Sequence, residues 1–125
     1  MSEEKIKHDI ISKEDIHQLV DVFYGDVMQD ELLKGFFSHM NFEEHKPRMI
    51  HFWSFVLLDE SGYTTNVFDK HVHMKLRDEH FDRWMYHFEN TIHQLFTGEK
   101  AEMAILRAKT LAWTFKEKFR KMNDQ

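Results

Sequence analysis

The stretch FDKHVHMKLRDEHFDRWMYHF, residues 68–88, decides the fold, because it sets two histidines a short distance before an aromatic pattern with helical spacing. An imidazole suits a borderline metal ion, and one axial histidine on a haem iron leaves the sixth position open to a ligand. The apolar side chains that follow would exclude water from a flat cofactor; they are Phe81, Trp84, Met85 and Phe88. We interpret the stretch as a ligand-bearing loop followed by one wall of a cofactor pocket.

Each of these features has a common alternative interpretation when it is taken alone. A stripe of Phe, Trp and Met usually packs in a protein core, and a His-x-His pair usually lies on the surface. Geometry also limits the pair formed by His71 and His73, since residues two apart in a helix point about 200° apart. Only one of the two histidines can therefore face a pocket.

The whole chain has the size and composition of one globular domain, which we place at residues 1–125. With 125 residues, 42% hydrophobic and 14% aromatic, it has ample material for one core and no room for a second domain. The net charge is −5 and the Lys and Arg residues are scattered, which argues against a nucleic-acid partner. The absence of cysteine excludes disulfides and thiolate metal sites, and it fits a reducing compartment.

The N-terminal segment MSEEKIKHDI carries charges and lacks the apolar centre of a signal peptide. No later run approaches the roughly 18 apolar residues that a membrane-spanning helix needs. We therefore expect a cytoplasmic protein that makes no membrane contact. We also expect it to be a monomer.

Helix is favoured nearly throughout, because the chain has only four Gly and one Pro and few β-branched residues. Ser12 followed by Asp15 predicts a capping-box start to a helix over 12–29. Its apolar stripe, with Tyr24 on the flank, consists of Ile16, Leu19, Val20, Phe23 and Val27. A short helical turn over 31–37 follows, and then helices over 41–58, with Asn41 as a possible cap, and over 78–96, which ends at Gly98. The last helix, over 99–122, has an apolar face that consists of Ile105, Ala108, Ala112, Phe115 and Phe119. The pattern predicts an all-α domain with four substantial helices.

The third helix carries two further expectations. Proline is tolerated in a first helical turn and disrupts later ones, so Pro47 predicts that regular helix begins only near Lys46 and leaves His45 in a looser turn. The run MIHFWSFVLL at residues 49–58 is apolar on all sides. We therefore expect this part of the helix to be buried on most of its circumference.

Six motifs in order resemble those of the group III truncated haemoglobins, and the resemblance covers residues 15–122. They are VFYGDV with Tyr24, FF at Phe36 and Phe37, EHKPRM with His45, HFW with Trp53, KHVHM with His71, and HFDRWM with Trp84. The resemblance implies a shortened globin fold, in which two pairs of antiparallel helices sandwich one haem b (iron protoporphyrin IX). It also implies that His71, thirteen residues before Trp84, is the proximal iron ligand and that His73 is a bystander.

The resemblance further implies that Tyr24, His45 and Trp84 lie on the distal face of the haem. Ferrous iron passes partial negative charge to bound dioxygen, so a phenol O–H and an indole N–H are suitable donors. Such charge-assisted bonds contribute about 1.5 to 3 kcal/mol each, so two of them would slow ligand release by roughly a hundredfold to ten-thousandfold. In isolation Tyr24 and His45 would more often be an ordinary half-buried tyrosine and a surface histidine. The ordered motifs favour the distal role, with His45 as a gate or third polar contact.

The haem pocket implied by the resemblance is lined by apolar residues from both halves of the chain. The lining residues are Phe23, Phe37, Met49, Phe52 and Trp53 on one side, and Val67, Phe68, Met74, Phe81 and Met85 on the other. For the haem propionates the first candidate is Arg48, which shares a helix face with His45. Lys70 and Arg77 are further candidates, although cations of this kind are usually just solvated.

Several functions compete at this stage. The first is redox chemistry on dioxygen and nitric oxide, or on peroxide, as a nitric oxide dioxygenase or peroxidase-like enzyme with an unidentified reductase. The second is a reversible oxygen carrier or a haem-based sensor of diatomic ligands. The third is a non-haem metal or di-iron carboxylate bundle, which uses Glu-x-x-His pairs on two helices. The sequence has one such pair, Glu14 and His17, and therefore does not support this function. A purely structural helical module would leave the Tyr, His and Trp set unexplained.

Overall fold

The computed structural model describes residues 7–37, 41–60 and 76–123. The helices are α1 (Lys13–Val27), α2 (Lys34–Phe37), α3 (Phe42–Leu58), α4 (Asp78–Leu95) and α5 (Glu99–Asn123). No strand occurs in these residues; an isolated bridge joins His8 to Phe96. The predicted all-α architecture with four long helices is confirmed.

Helix α1 begins where its capping signal predicted. The Ser12 side chain accepts a hydrogen bond from the Asp15 amide, and the Asp15 carboxylate accepts one from the Ser12 amide at 3.2 Å. Its predicted apolar stripe is buried along its whole length; the stripe consists of Ile16, Leu19, Val20, Phe23 and Val27. These residues pack α1 against α3 and α4.

Helix α3 begins at Phe42, which confirms the predicted range 41–58. The prediction that regular helix begins only near Lys46, with His45 in a looser turn, is wrong. The Asn41 side chain caps the Glu44 amide at 3.3 Å, and the Asn41 carbonyl accepts from the His45 amide at 3.1 Å. This cap starts the helix upstream of Pro47, which removes one backbone donor without ending the helix.

The predicted burial of residues 49–58 is confirmed for most of the run. The fully buried face, which packs against α1 and α5, consists of Ile50, Trp53, Ser54 and Leu57. The other residues of the run are half-buried except Phe55, which is 44% exposed.

Helices α4 and α5 form an antiparallel pair joined by a tight turn. Gly98 in that turn has φ 137°, and the Asp9 carboxylate accepts hydrogen bonds from the Lys100 and Ala101 amides at 2.9 and 2.8 Å. Asp9 therefore caps the start of α5. The predicted face of α5 is buried and consists of Ile105, Ala108, Ala112, Phe115 and Phe119.

The described residues contain two hydrophobic clusters. The larger joins α1, α3, α4 and the first half of α5, and the smaller joins the start of α4 to the second half of α5. Trp84 packs against both clusters. Among the described residues, no helix is long and apolar enough to cross a membrane.

Candidate functional site

Tyr24 of α1 and Trp84 of α4 meet at the interface between these helices. Both side chains are half-buried, and the Trp84 indole N–H lies close enough to the Tyr24 hydroxyl to lower the pKa of the phenol. Burial raises the pKa of Tyr24 to about 12, and the indole offsets only part of that rise. The phenol is therefore neutral at any physiological pH and keeps its proton available for donation.

The Trp84 ring is held by two phenylalanines. It stacks on Phe88 with ring centroids 5.5 Å apart and an interplanar angle of 14°. Phe23 meets it edge-on at 5.3 Å. Phe88 also stacks on Trp53 at 4.8 Å, so its ring lies between two indoles. These contacts fix the plane of the Trp84 indole and therefore the direction of its N–H.

The start of α3 closes the other side of Tyr24. The Phe42 ring lies 5.9 Å from the Tyr24 ring, and Phe23 lies 4.8 Å from it. His45 follows Phe42 by about one helical turn and is half-buried. The three predicted distal residues thus come from α1, α3 and α4, and the structure brings Tyr24 and Trp84 into direct contact.

The predicted lining residues fall into two groups by burial. Those that form core are Phe23, Trp53 and Phe81, each no more than 5% exposed. Those that pack on the larger cluster while keeping part of their surface accessible are Met49, Phe52 and Met85. Phe81 belongs to the smaller cluster, where it contacts Phe115 and Phe119.

The remaining predicted residues are exposed or lie outside the described part of the chain. Arg48 and Arg77 are exposed, and the Arg77 amide donates to Nδ1 of His80 at 2.9 Å, at the start of α4. Several predictions fall outside the described residues; these are Val67, Phe68, Lys70, His71, His73 and Met74. The side chain of Phe37 is likewise not described.

The sequence interpretation missed a buried polar network beside this site. The Asp30 side chain is 4% exposed and its Oδ2 lies 2.5 Å from both Arg83 Nε and His87 Nε2. Its Oδ1 accepts from the Leu32 amide at 2.8 Å. Burial alone would raise the pKa of Asp30, but the bonds from His87, Arg83 and the Leu32 amide outweigh it and hold that pKa well below its usual value. The one available signal was the spacing of Arg83 and His87, four residues apart on α4.

Residues 8–116 match the family model described as bacterial-like globin. The chain belongs to the bacterial-like globin family. It is 27% identical over 117 residues to the group 3 truncated hemoglobin ctb of Campylobacter jejuni, covering 88% of this chain and 92% of that protein. Its structure matches the crystal structure of a group III truncated hemoglobin from Campylobacter jejuni with a TM-score of 0.83 and 26% identity. That match covers 91% of this chain and 95% of the other.

These comparisons confirm the resemblance to group III truncated haemoglobins and the shortened, all-α globin fold. As a member of this family, the chain is a haem-binding globin. The residues present fit a haem, because accessible apolar surface on Met49, Phe52 and Met85 accompanies a neutral phenol donor on the same core cluster. An apolar wall with a few placed polar groups is typical of cofactor pockets.

Proposed function

We propose that this globin holds haem b through His71 and uses Tyr24 and Trp84 to retain dioxygen or another diatomic ligand for redox chemistry. When bound, the haem supplies an iron that takes a diatomic ligand and exchanges electrons. The co-substrate would be nitric oxide or a peroxide, and the electrons would come from a reductase partner. The observation that carries the proposal is the meeting of the Trp84 indole with the neutral Tyr24 phenol at the interface between α1 and α4.

The chemistry of the two groups determines which proton the site offers. An indole N–H only donates, so Trp84 can donate to the Tyr24 oxygen while the phenol O–H serves as the donor to a ligand with partial negative charge. A chain of two hydrogen bonds polarises its members, so the indole strengthens the phenol as a donor. The raised pKa of Tyr24 supports this role, since a neutral phenol donates and a phenolate cannot.

The other polar residues have supporting roles in the proposal. His45 gates access from α3 or makes a third polar contact with the ligand. Arg48, Lys70 and Arg77 are the candidates to pair with the haem propionates. The half-buried Met49, Phe52 and Met85 would exclude water from the haem face, which strengthens hydrogen bonds made there.

Slow ligand release favours redox chemistry over delivery. A protein that donates a charge-assisted hydrogen bond to its ligand gives that ligand up slowly, and this suits reaction with a second, incoming molecule. A carrier needs fast release. The measured dioxygen release rate therefore distinguishes the redox function from a reversible carrier or sensor.

The test is stopped-flow dioxygen release from the ferrous protein and its Tyr24→Phe variant. Losing the hydroxyl should raise the release rate about tenfold or more, because a hydrogen bond to a charged group contributes about 1.5 to 3 kcal/mol. Tyr86→Phe is the matched control, since Tyr86 lies on α4 but is 50% exposed, and it should leave the rate unchanged. Fast release in the wild type that Tyr24→Phe does not alter would favour the carrier or sensor function.

The proximal ligand has a separate test that uses the other histidine as its control. His71→Gly should lose haem, or regain its spectrum only with added imidazole, because the side chain that coordinates iron is gone. His73→Ala should keep a normal Soret band. The reverse result would assign the iron to His73.

A further inference from the structure

Asp30 joins the end of α1 to the middle of α4. It lies in the turn that follows α1, with its carboxylate 2.5 Å from Arg83 Nε and from His87 Nε2. An ionised carboxylate only accepts hydrogen bonds, so His87 must carry a proton on Nε2. Arg83 is further fixed by Tyr86, whose ring centroid lies 4.8 Å from the guanidinium carbon. All the partners of this carboxylate are therefore held in place.

The network of Asp30, Arg83 and His87 joins the same two helices, α1 and α4, that carry Tyr24 and Trp84. Trp84 directly follows Arg83 on α4, and Phe88, on which Trp84 stacks, directly follows His87. Tyr24 lies in the last two turns of α1, shortly before Asp30. The interface between α1 and α4 thus carries two polar links, one from Asp30 and one from Tyr24.

The Asp30 carboxylate is buried although Arg83 is 47% exposed, so a shift that parts it from Arg83 and His87 is costly because it leaves a buried charge unpaired. The interaction between the Trp84 indole and the Tyr24 hydroxyl depends on their separation and angle, since a hydrogen bond weakens steeply outside a narrow range of both. One helical residue corresponds to about 1.5 Å of rise and 100° of rotation. Even a fraction of one residue's shift in α4 would therefore separate the indole from the phenol.

We propose that Asp30, Arg83 and His87 are positioning residues that hold Trp84 in register with Tyr24 and so set the strength of the phenol as a donor to ligand. The inference rests on the proposed function of Tyr24 and Trp84. It assigns a role to a network that does not touch the ligand. It also explains why the carboxylate is buried at the helix interface and does not face solvent.

The experiment compares Asp30→Asn with wild type in the haem-loaded ferrous carbon monoxide form, which is diamagnetic. Asparagine keeps an oxygen for the Leu32 amide but loses the charge that binds Arg83 and His87. We expect the Trp84 indole N–H resonance, assigned with Trp84→Phe, to shift, while that of the 64% exposed Trp113 stays in place. The carbon monoxide stretching frequency should shift in the same direction as in Tyr24→Phe. Dioxygen release should rise about fivefold, as for the partial loss of one hydrogen bond.

A pair of variants at His87 gives the same answer with less disturbance to folding. His87→Gln keeps an N–H donor near the position of Nε2 and should retain the wild-type signals. His87→Leu has similar bulk without a donor and should behave like Asp30→Asn. If Asp30→Asn fails to fold, this pair decides the question.

Asp82→Asn separates positioning from general destabilisation. It breaks the ion pair between Asp82 of α4 and Lys116 of α5, which lies on the side of α4 that meets α5. This variant should leave the indole resonance, the carbon monoxide frequency and the release rate unchanged. Changes in Asp82→Asn as large as those in Asp30→Asn would overturn the proposal.

The outcomes also distinguish the two proposals. If Asp30→Asn and His87→Leu lower stability without moving the indole resonance or the carbon monoxide frequency, the network is only structural and the inference fails. If they move the indole resonance while Tyr24→Phe leaves release unchanged, the positioning role stands and the proposed function fails.

Discussion

Truncating Phe88 tests the packing on which the distal site depends. Phe88 is 0% exposed and stacks between Trp53 and Trp84, while Phe23 meets it edge-on at 5.2 Å. Phe88→Ala removes a ring that three aromatic side chains contact. Its neighbours lie on α1, α3 and α4, so no single side chain can fill the space by changing rotamer.

The expected loss follows from this burial. A buried Phe→Ala change costs about 3 to 5 kcal/mol, and each aromatic pair adds about 0.5 to 1.5 kcal/mol beyond its buried area. With three pairs lost at a fully buried position, Phe88→Ala should lie at the upper end, near 5 kcal/mol. Phe55→Ala makes the same chemical change at a side chain that is 44% exposed, and we expect a loss of about 1 to 2 kcal/mol.

Urea unfolding followed by far-UV circular dichroism measures both losses. Haem binding adds to apparent stability, so wild type, Phe88→Ala and Phe55→Ala must be compared at the same haem occupancy. A loss below about 2 kcal/mol for Phe88→Ala would refute the stacked arrangement, because partial refilling cannot replace three ring contacts. An equal loss in Phe55→Ala would show that the two sites do not differ in burial.

Two further predictions concern Gly98, in the turn between α4 and α5, and His80, at the start of α4. Gly98→Ala should cost about 2 to 4 kcal/mol in urea unfolding, because φ 137° disfavours a side chain and the added Cβ would lie 2.5 Å from Asp9 Cγ. Gly25→Ala, in α1 with nothing within 4 Å of its Cβ, should instead stabilise by about 0.5 to 1 kcal/mol. Burial lowers the pKa of His80, whose neutral ring accepts a hydrogen bond from the Arg77 amide. The stability that this neutral ring contributes is therefore fully present above pH 6.5, the ordinary pKa of histidine. It is lost as the pH falls below 6.5 and through the lower pKa of the folded state. Stability between pH 7.5 and 5.5 should therefore fall more in wild type than in His80→Gln, which can accept the same bond without titrating.

The helices could be predicted from sequence wherever their signals are local. Ser12 and Asp15 start α1, and Gly98 separates α4 from α5, as their residue types indicated. At the start of α3 two local signals conflict, and the sequence alone does not decide between them. Pro47 favours a late start and Asn41 an early one, and the cap prevails because a proline shortly after a helix start costs only one backbone bond.

Part of the site was predictable and part was not. The motifs identified Tyr24 and Trp84, but periodicity placed Tyr24 only on the flank of a stripe, and its contact with Trp84 depends on how α1 and α4 pack. Asp30 gave no signal of its own, since an aspartate after a helix usually faces solvent. Its burial depends on Arg83 and His87, which lie 53 and 57 residues later in the chain.

The placement of these groups on α4 has a physical consequence for the site. Trp84 must stack in the core to hold its ring and must also direct its N–H toward Tyr24, so its helix cannot be free to slide or rotate. Apolar packing is non-directional and tolerates small shifts, whereas paired charges at short range do not. In the proposed arrangement, the aromatic cluster around Phe88 supplies stability and the Asp30 network supplies register. A donor pair built from two helices that are separate in sequence needs both.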